Sequence, residues 1–289
     1  MSLSKQLKHR LVLAIVLLFI SFFSLVTVTF AWYVYQTGAR TADIHMAVGT
    51  GNSLQISNQY DGEYGFTALM EQFLGRLTPV STNRITGGFQ KVTGFTDGTA
   101  EHPKRLASIF DVSDTNDYYK TSLYLRLNGD KQKIYLADIG FEDADKDNPI
   151  STAISVGLVI HEPGRNGKTC AEYIFEINTG DNPKAEYNTA TGQDGYVLDC
   201  TKRDGTTVPM ERLYSSEQFC LYDKSTGAVQ LKPSSLPLFE LSGGGAGEFG
   251  SPVQVDVYIW LEGCDKDCTN NLYSTMLKNI SLSFAGKAD

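Results

Sequence analysis

The stretch VQVDVYIWLE, residues 253–262, sets Val253, Val255, Val257, Ile259 and Leu261 at one series of alternate positions and Gln254, Asp256, Tyr258, Trp260 and Glu262 at the other. Successive side chains leave a β-strand on opposite faces, so a strict period of two predicts a strand with one apolar and one polar side. The same alternation recurs in SLYLRLN (122–128), KIYLADI (133–139), ISVGLVIH (154–161) and ISLSFAG (280–286). The inward residues are Leu123, Leu125 and Leu127, then Ile134 and Leu136, then Val156, Leu158 and Ile160, then Ile280, Leu282 and Phe284. Shorter candidates are Leu54–Ile56, Tyr173–Ile177 and Val229–Leu231. Strands polar on one side belong to antiparallel sheets, which can face water there. Separated by Gly, Asn, Asp and Pro clusters, they predict an all-β chain folded as an antiparallel two-sheet sandwich.

One segment departs from this pattern. FTALMEQFLGRL (66–77) brings Leu69, Phe73, Leu74 and Leu77 near one face at helical spacing, which predicts a helix. Two stretches read as long loops: TGDNPKAEYNTATGQDG (179–195), polar and turn-rich, and LSGGGAGEFGSP (241–252), whose glycines are too flexible for the interior of a strand or helix. The second is a loop at one end of a single sandwich, because the strands on either side are too few for independent domains.

The N-terminus decides the compartment. Residues 11–35, LVLAIVLLFISFFSLVTVTFAWYVY, carry no formal charge over 25 positions. An α-helix of about 20 such residues crosses a hydrocarbon core. Lys5, Lys8 and Arg10 precede it, so the positive-inside rule leaves the N-terminus in the cytoplasm and the chain from about Gln36 outside. The domain reading is therefore a signal or membrane-anchor segment at 1–36 and an extracellular β-sandwich at 37–289. The length of the apolar run favours an uncleaved anchor, whereas Thr29 and Ala31 offer small side chains where a signal peptidase cuts. The expected location is the cell membrane, single-pass with the C-terminal domain outside, or the secreted and cell-surface pool after cleavage. Beyond residue 36 there are 33 acidic against 22 basic residues, a balance that excludes nucleic acid as a partner, since phosphate neutralisation needs clustered Lys and Arg.

Little of the remaining sequence has the spacing that chemistry demands. The four histidines His9, His45, His102 and His161 stand in unrelated contexts, and GTGNS (49–53) does not match the strained G-x-S-x-G turn of a nucleophilic serine. No catalytic set is predicted, and the chain reads as a non-enzyme. In FEDADKDNP (141–149), Asp143, Asp145 and Asp147 alternate like the first half of a calcium loop. Asn148 then replaces the required glycine and Ile154 the bidentate Glu, which favours a solvated turn over a calcium site and leaves the chain without a predicted cofactor. Asp265 and Asp267 read likewise as turn carboxylates. Of the five cysteines, Cys264 and Cys268 lie four apart in GCDKDC, spaced for a disulfide in an oxidising compartment if the loop brings them together. Zinc would need further ligands nearby. Tyr258 and Trp260 leave two readings open. They form a binding surface that stacks on a sugar or packs in a protein interface, or they belong to a second buried face.

Read whole, FAWYVYQTGARTADIHMAVGTGNSLQIS (30–57), a hydrophobic segment followed by a polar stretch and a short strand, resembles the TasA/camelysin-type exported surface proteins of Gram-positive bacteria. LTPVST (77–82), LYLRLNGDKQKIYLADI (123–139), AISVGLVI (153–160), VDVYIWLEGCDKDCTN (255–270) and ISLSFAG carry the resemblance further along the chain. It implies a jelly-roll-like sandwich and a structural protein of the cell surface or biofilm matrix. It also implies self-association by strand complementation, with residues of about 37–57 as the donor or the first strand. The other function to weigh is a membrane-tethered binding or adhesion module, recognising glycan or protein through loops at the end of the sandwich.

Overall fold

A computed structural model describes residues 43–45, 54–69, 77–82, 84–92, 109–111, 117–143, 146–147, 149–177, 212–223, 226, 228–245, 247–263, 265, 268, 272 and 277–288. All fall within one compact unit, Thr41–Asp289. The segment 11–35 and the loop 179–195 lie outside the described residues, and among the described residues no helix is long and apolar enough to cross a membrane.

The fold is mostly β, with several antiparallel sheets. In chain order the strands are β1 (Asp43–His45), β2 (Leu54–Ser57), β3 (Thr67–Leu69), β4 (Pro79–Ser81), β5 (Gln90–Val92), β6 (Ile109–Asp111), β7 (Tyr119–Leu127) and β8 (Gln132–Asp143). They continue as β9 (Ile154–His161), β10 (Thr169–Glu176), β11 (Arg212–Tyr214), β12 (Leu221–Asp223), β13 (Ala228–Gln230), β14 (Pro237–Leu241), β15 (Val253–Glu262) and β16 (Leu277–Lys287). A single helical turn, Ser215–Gln218, follows β11.

VQVDVYIWLE, as β15, is the axis of the larger sheet. On one side β15 pairs antiparallel with β9, from Val255↔Ile160 to Leu261↔Ile154. On its other side it pairs antiparallel with β7 from Val253↔Leu125 to Ile259↔Tyr119, and then, at Leu261 and Glu262, parallel with β4. Beyond β9 come β10 and β11; beyond β7 comes β2; beyond β4 come β5 and β6. The smaller sheet has the order β14-β8-β16. Both sheets contribute to one core: Leu123, Leu125, Val156, Leu158, Val255 and Val257 from the larger, Ile134, Leu136, Leu241, Leu282 and Phe284 from the smaller. Alternation thus resolves as expected on this side, since every second side chain of each strand leaves water.

The other side of β15 does not face water as a half-buried strand should. Trp260 is 0% exposed in a second cluster with Val80, Ile85, Phe89, Val159 and Ile174. The short turn Ile85–Gly87 and Phe89 lie over this face. Gly157 makes room, because a Cβ there would collide with the tip of Ile85 and stand 3.0 Å from Cζ3 of Trp260. β9 is accordingly buried from Ile154 to Ile160 on both sides. Buried polar groups in this layer are bonded: Ser155 Oγ meets both carboxylate oxygens of Glu176 at 3.0 Å, and Trp260 Nε1 donates to Glu262 at 3.0 Å.

Two expectations are corrected. Thr67–Leu69, read as the start of a helix, is a strand paired antiparallel with Asp43–His45, and Leu69 is 54% exposed. Helical spacing is a local signal, and here the pairing partner lies more than twenty residues away. Residues 70–76 lie outside the described set. The glycine-rich loop is compact rather than loose. Gly243 N–H donates to Gly129 at 3.2 Å and Gly250 N–H to Leu127 at 2.9 Å, and a Cβ on Gly243 or Gly250 would run into the backbone of Gly129 or Ser242. Close approach of backbones, not freedom, is what these glycines supply. Finally, part of the 37–57 segment has partners within its own chain: β1 on β3, and β2 on β7 from Leu54↔Leu127 to Ser57↔Tyr124.

Candidate functional site on the outer face of the larger sheet

Where β7 and β15 run side by side, their outward residues meet as cross-strand neighbours: Gln254 opposite Tyr124, Asp256 opposite Ser122, Tyr258 opposite Lys120. Such pairs sit close enough for side chains to bond directly. Asp256, 5% exposed, is the hub. Its Oδ1 accepts from Ser122 Oγ at 2.6 Å and from Gln254 Nε2 at 2.7 Å. Its Oδ2 lies 3.4 Å from Lys120 Nζ and 3.2 Å from His161 Nε2, brought alongside by β9. Burial raises the carboxyl pKa of Asp256, but the bonds from Ser122 and Gln254 and the charges of Lys120 and His161 outweigh it, and the net direction is downward. Burial pulls Lys120 down, while its contacts with Tyr258 and Asp256 pull harder and leave it raised.

Serine, histidine and aspartate meet here in an order that does not make a nucleophile. In hydrolytic triads the imidazole stands between serine and carboxylate and takes the serine proton. Here the carboxylate stands between the other two, and Ser122 donates to Asp256 rather than to His161. The network ties β7, β9 and β15 together.

Aromatic rings flank the hub on both sides. Toward Trp260, Tyr118 stacks on Phe89 with centroids 4.3 Å apart, Tyr258 lies 5.9 Å from Tyr118, and Lys120 Nζ sits 5.1 Å above the Tyr258 ring. Toward the loop end, Arg126 is held between Tyr64 at 4.0 Å and Phe249 at 4.2 Å, and its Nε and Nη2 both donate to Gln55 Oε1 at 3.0 and 2.7 Å. Burial pushes the Tyr64 phenol up to about 12. Tyr60 meets Tyr124 edge-on at 5.7 Å, Arg165 lies over Tyr60 at 4.7 Å, and Arg165 is also ion-paired with Asp61. The 58–65 hairpin, the 162–168 hairpin and the glycine-rich loop therefore meet over one end of the sheet.

Arg126 supplies a sharp test of that junction. Its planar fork and flat faces cannot be reproduced by an ammonium group. Arg126→Lys is expected to cost about 1–2 kcal/mol, the sum of two ring contacts and a bidentate bond partly replaced by water. Urea unfolding measures the loss, and a variant as stable as the parent would show that the junction contributes nothing.

The residues singled out from sequence fare differently. Trp260 is not a surface residue at all; Tyr258 is half-buried and engaged with Lys120, Phe89 and Tyr118. Asp143 accepts from the backbone N–H of Ser151 at 2.9 Å and its Oγ at 2.6 Å, which closes the turn leading into Ile150–Ala153. Asp147 is exposed, Asp145 lies outside the described residues, and no group of three His, Cys, Asp or Glu among the described residues is placed to hold a metal ion. Cys264 also lies outside the described residues. Cys268 stands as a free thiol packed against the core, pushed up to about 12 by burial and by the nearby Glu262 and Asp265. Sequence reading missed Ser122, Arg126, His161 and Asp256 as a group. The available signal was their shared parity: each sits on the polar side of its own strand.

Comparison with protein-family models, with curated proteins and with solved structures finds no match to this chain.

Proposed function

We propose that the chain is an exported structural protein of the cell surface or extracellular matrix, a jelly-roll-like sandwich delivered by the apolar segment at 11–35 and joined to its neighbours by strand pairing. The observation that supports this reading is the outer face of the larger sheet. Ser122, Lys120, His161, Gln254 and Asp256 are engaged with one another across three strands, an arrangement that stiffens a sheet rather than presenting free groups to a substrate. Among the described residues β11 and β6 stand at the two ends of the larger sheet's strand order, and these are the edges on which further pairing would build. Residues of about 37–57 are the segment through which one copy would complete another, by exchanging the partners that β1 and β2 have within their own chain for those of a second copy.

Intact mass and N-terminal sequencing of the natively produced protein, taken separately from membranes and medium, test the proposal together with electron microscopy of the released form. We expect a form in the medium starting between about Ala31 and Ala42 that associates into extended assemblies. A full-length chain confined to membranes and monomeric at every concentration would overturn the assembly reading and favour a tethered binding module.

A further inference from the structure

We propose that His161 is an acid-closed latch that fastens the 162–168 hairpin to the outer face of the larger sheet. The case rests on what surrounds the ring. Nδ1 lies 3.1 Å from the carbonyl oxygen of Gly167, and Nε2 lies 3.2 Å from Oδ2 of Asp256. Both neighbours are acceptors with no proton to give, as Asp256 already takes bonds on its other oxygen from Ser122 and Gln254. A ring carrying protons on both nitrogens donates to both. A neutral ring carries one proton, and the ionised carboxylate, the stronger acceptor, holds it on Nε2, so the Nδ1 lone pair is left facing the carbonyl oxygen of Gly167. The side chain is only 15% exposed, so water has little access to relieve that clash.

The other charged groups around the ring act in known directions. Lys120 on β7 shares the same carboxylate oxygen and keeps Asp256 ionised when the ring is neutral. Glu162 follows His161 in the chain and faces Cys170 on β10, whose thiol is held up by burial and by that carboxylate. Neither gives the second ring nitrogen a donor.

The hairpin carries the effect outward. Glu162 N–H closes its base on Lys168 at 2.8 Å, Gly164 N–H reaches Pro252 at 2.9 Å, and Arg165 at its tip holds Asp61 and covers Tyr60. Loss of the ring's bond to Gly167 frees the hairpin base, and with it the link to the 58–65 and glycine-rich loops. An exported chain meets external pH directly, and this latch would tighten the loop end of the fold in acid and slacken it as pH rises.

Hydrogen exchange of the full chain in detergent, read by mass spectrometry over the hairpin and corrected for intrinsic rates, tests the latch. One charge-assisted bond predicts roughly tenfold greater protection at about pH 5 than at about pH 8. In His161→Gln that difference should vanish. Nitrogen NMR of the chain's four histidines identifies His161 as the signal missing from the variant, and its titration in the parent should coincide with the change in protection. Equal protection at both pH values, an undiminished pH dependence in H161Q, or a ring that titrates without any change in the hairpin would each overturn the proposal. Should H161Q fail to fold, the pH dependence of protection in the parent chain still decides it.

Discussion

Replacing Trp260 by alanine is expected to destabilise the folded chain by about 3–5 kcal/mol, the range for removing a buried aromatic side chain. The ring is fully buried among Val80, Ile85, Phe89, Val159 and Ile174, and Phe89 meets it edge-on at 5.1 Å. Alanine leaves a cavity there that the surrounding strands, hydrogen-bonded into one sheet, cannot collapse to fill. It also removes the Nε1 donor from Glu262, which is itself 0% exposed. Trp260→Phe separates the two contributions: it keeps most of the ring volume and loses only the donor, for about 1–3 kcal/mol. Denaturant midpoints for the two variants measure this directly. A loss below about 0.5 kcal/mol for alanine is what an exposed binding residue would give, and it would sink the account of a second buried layer.

Trp260 also shows what the sequence could and could not tell. Period two in VQVDVYIWLE marked the strand and its inward face, whereas its register on Leu123 and Leu125 is visible only in the fold. It could not say whether the other face met water. Gln254 and Asp256 on that face invite the expectation of a wet surface. What covers it, Ile85 and Phe89, comes from a stretch some 170 residues earlier that has no period of its own. Gly157 records the close approach, and a single glycine in a strand has several meanings.

The misread helix has the same origin. Leu69, Phe73, Leu74 and Leu77 satisfy a helical spacing locally, whereas Thr67–Leu69 finds its hydrogen bonds on Asp43–His45. Loop chemistry was half legible. Composition marks the glycine-rich stretch as irregular, yet it cannot distinguish glycines that give freedom from glycines that let backbones touch, as Gly243 touches Gly129. Alternating aspartates at 143–147 resemble calcium ligands in sequence, while Asp143 serves the neighbouring Ser151. The hub at Asp256 was beyond reach for a further reason. It joins residues 120, 122, 161, 254 and 256, and only the pairing of β7 and β9 with β15 makes them neighbours.

Asp256→Asn should cost about 3 kcal/mol near neutral pH, because it removes the charge on which bonds from three strands converge. Lys120 contributes little to that figure: its side chain is 42% exposed, and water readily replaces its partner. The loss comes from Ser122, Gln254 and His161, whose bonds to the carboxylate are shorter or better buried. The pH dependence follows from the direction of the Asp256 shift. Burial alone would raise the carboxyl, but the bonds and charges around it lower it below its ordinary value. A carboxylate depressed by folding contributes stability above its unfolded pKa, about 3.9, and loses that contribution as pH falls through the folded value. The deficit of the Asn variant relative to the parent should therefore be fully present above about pH 4 and shrink as pH drops below it. Unfolding at a series of pH values measures it. A deficit that stays constant down to about pH 2 would mean that the side chain acts through its shape and not its charge. A deficit that closes in acid would instead leave the ionised carboxylate as the tie that binds β7 and β9 to β15 on their outer face.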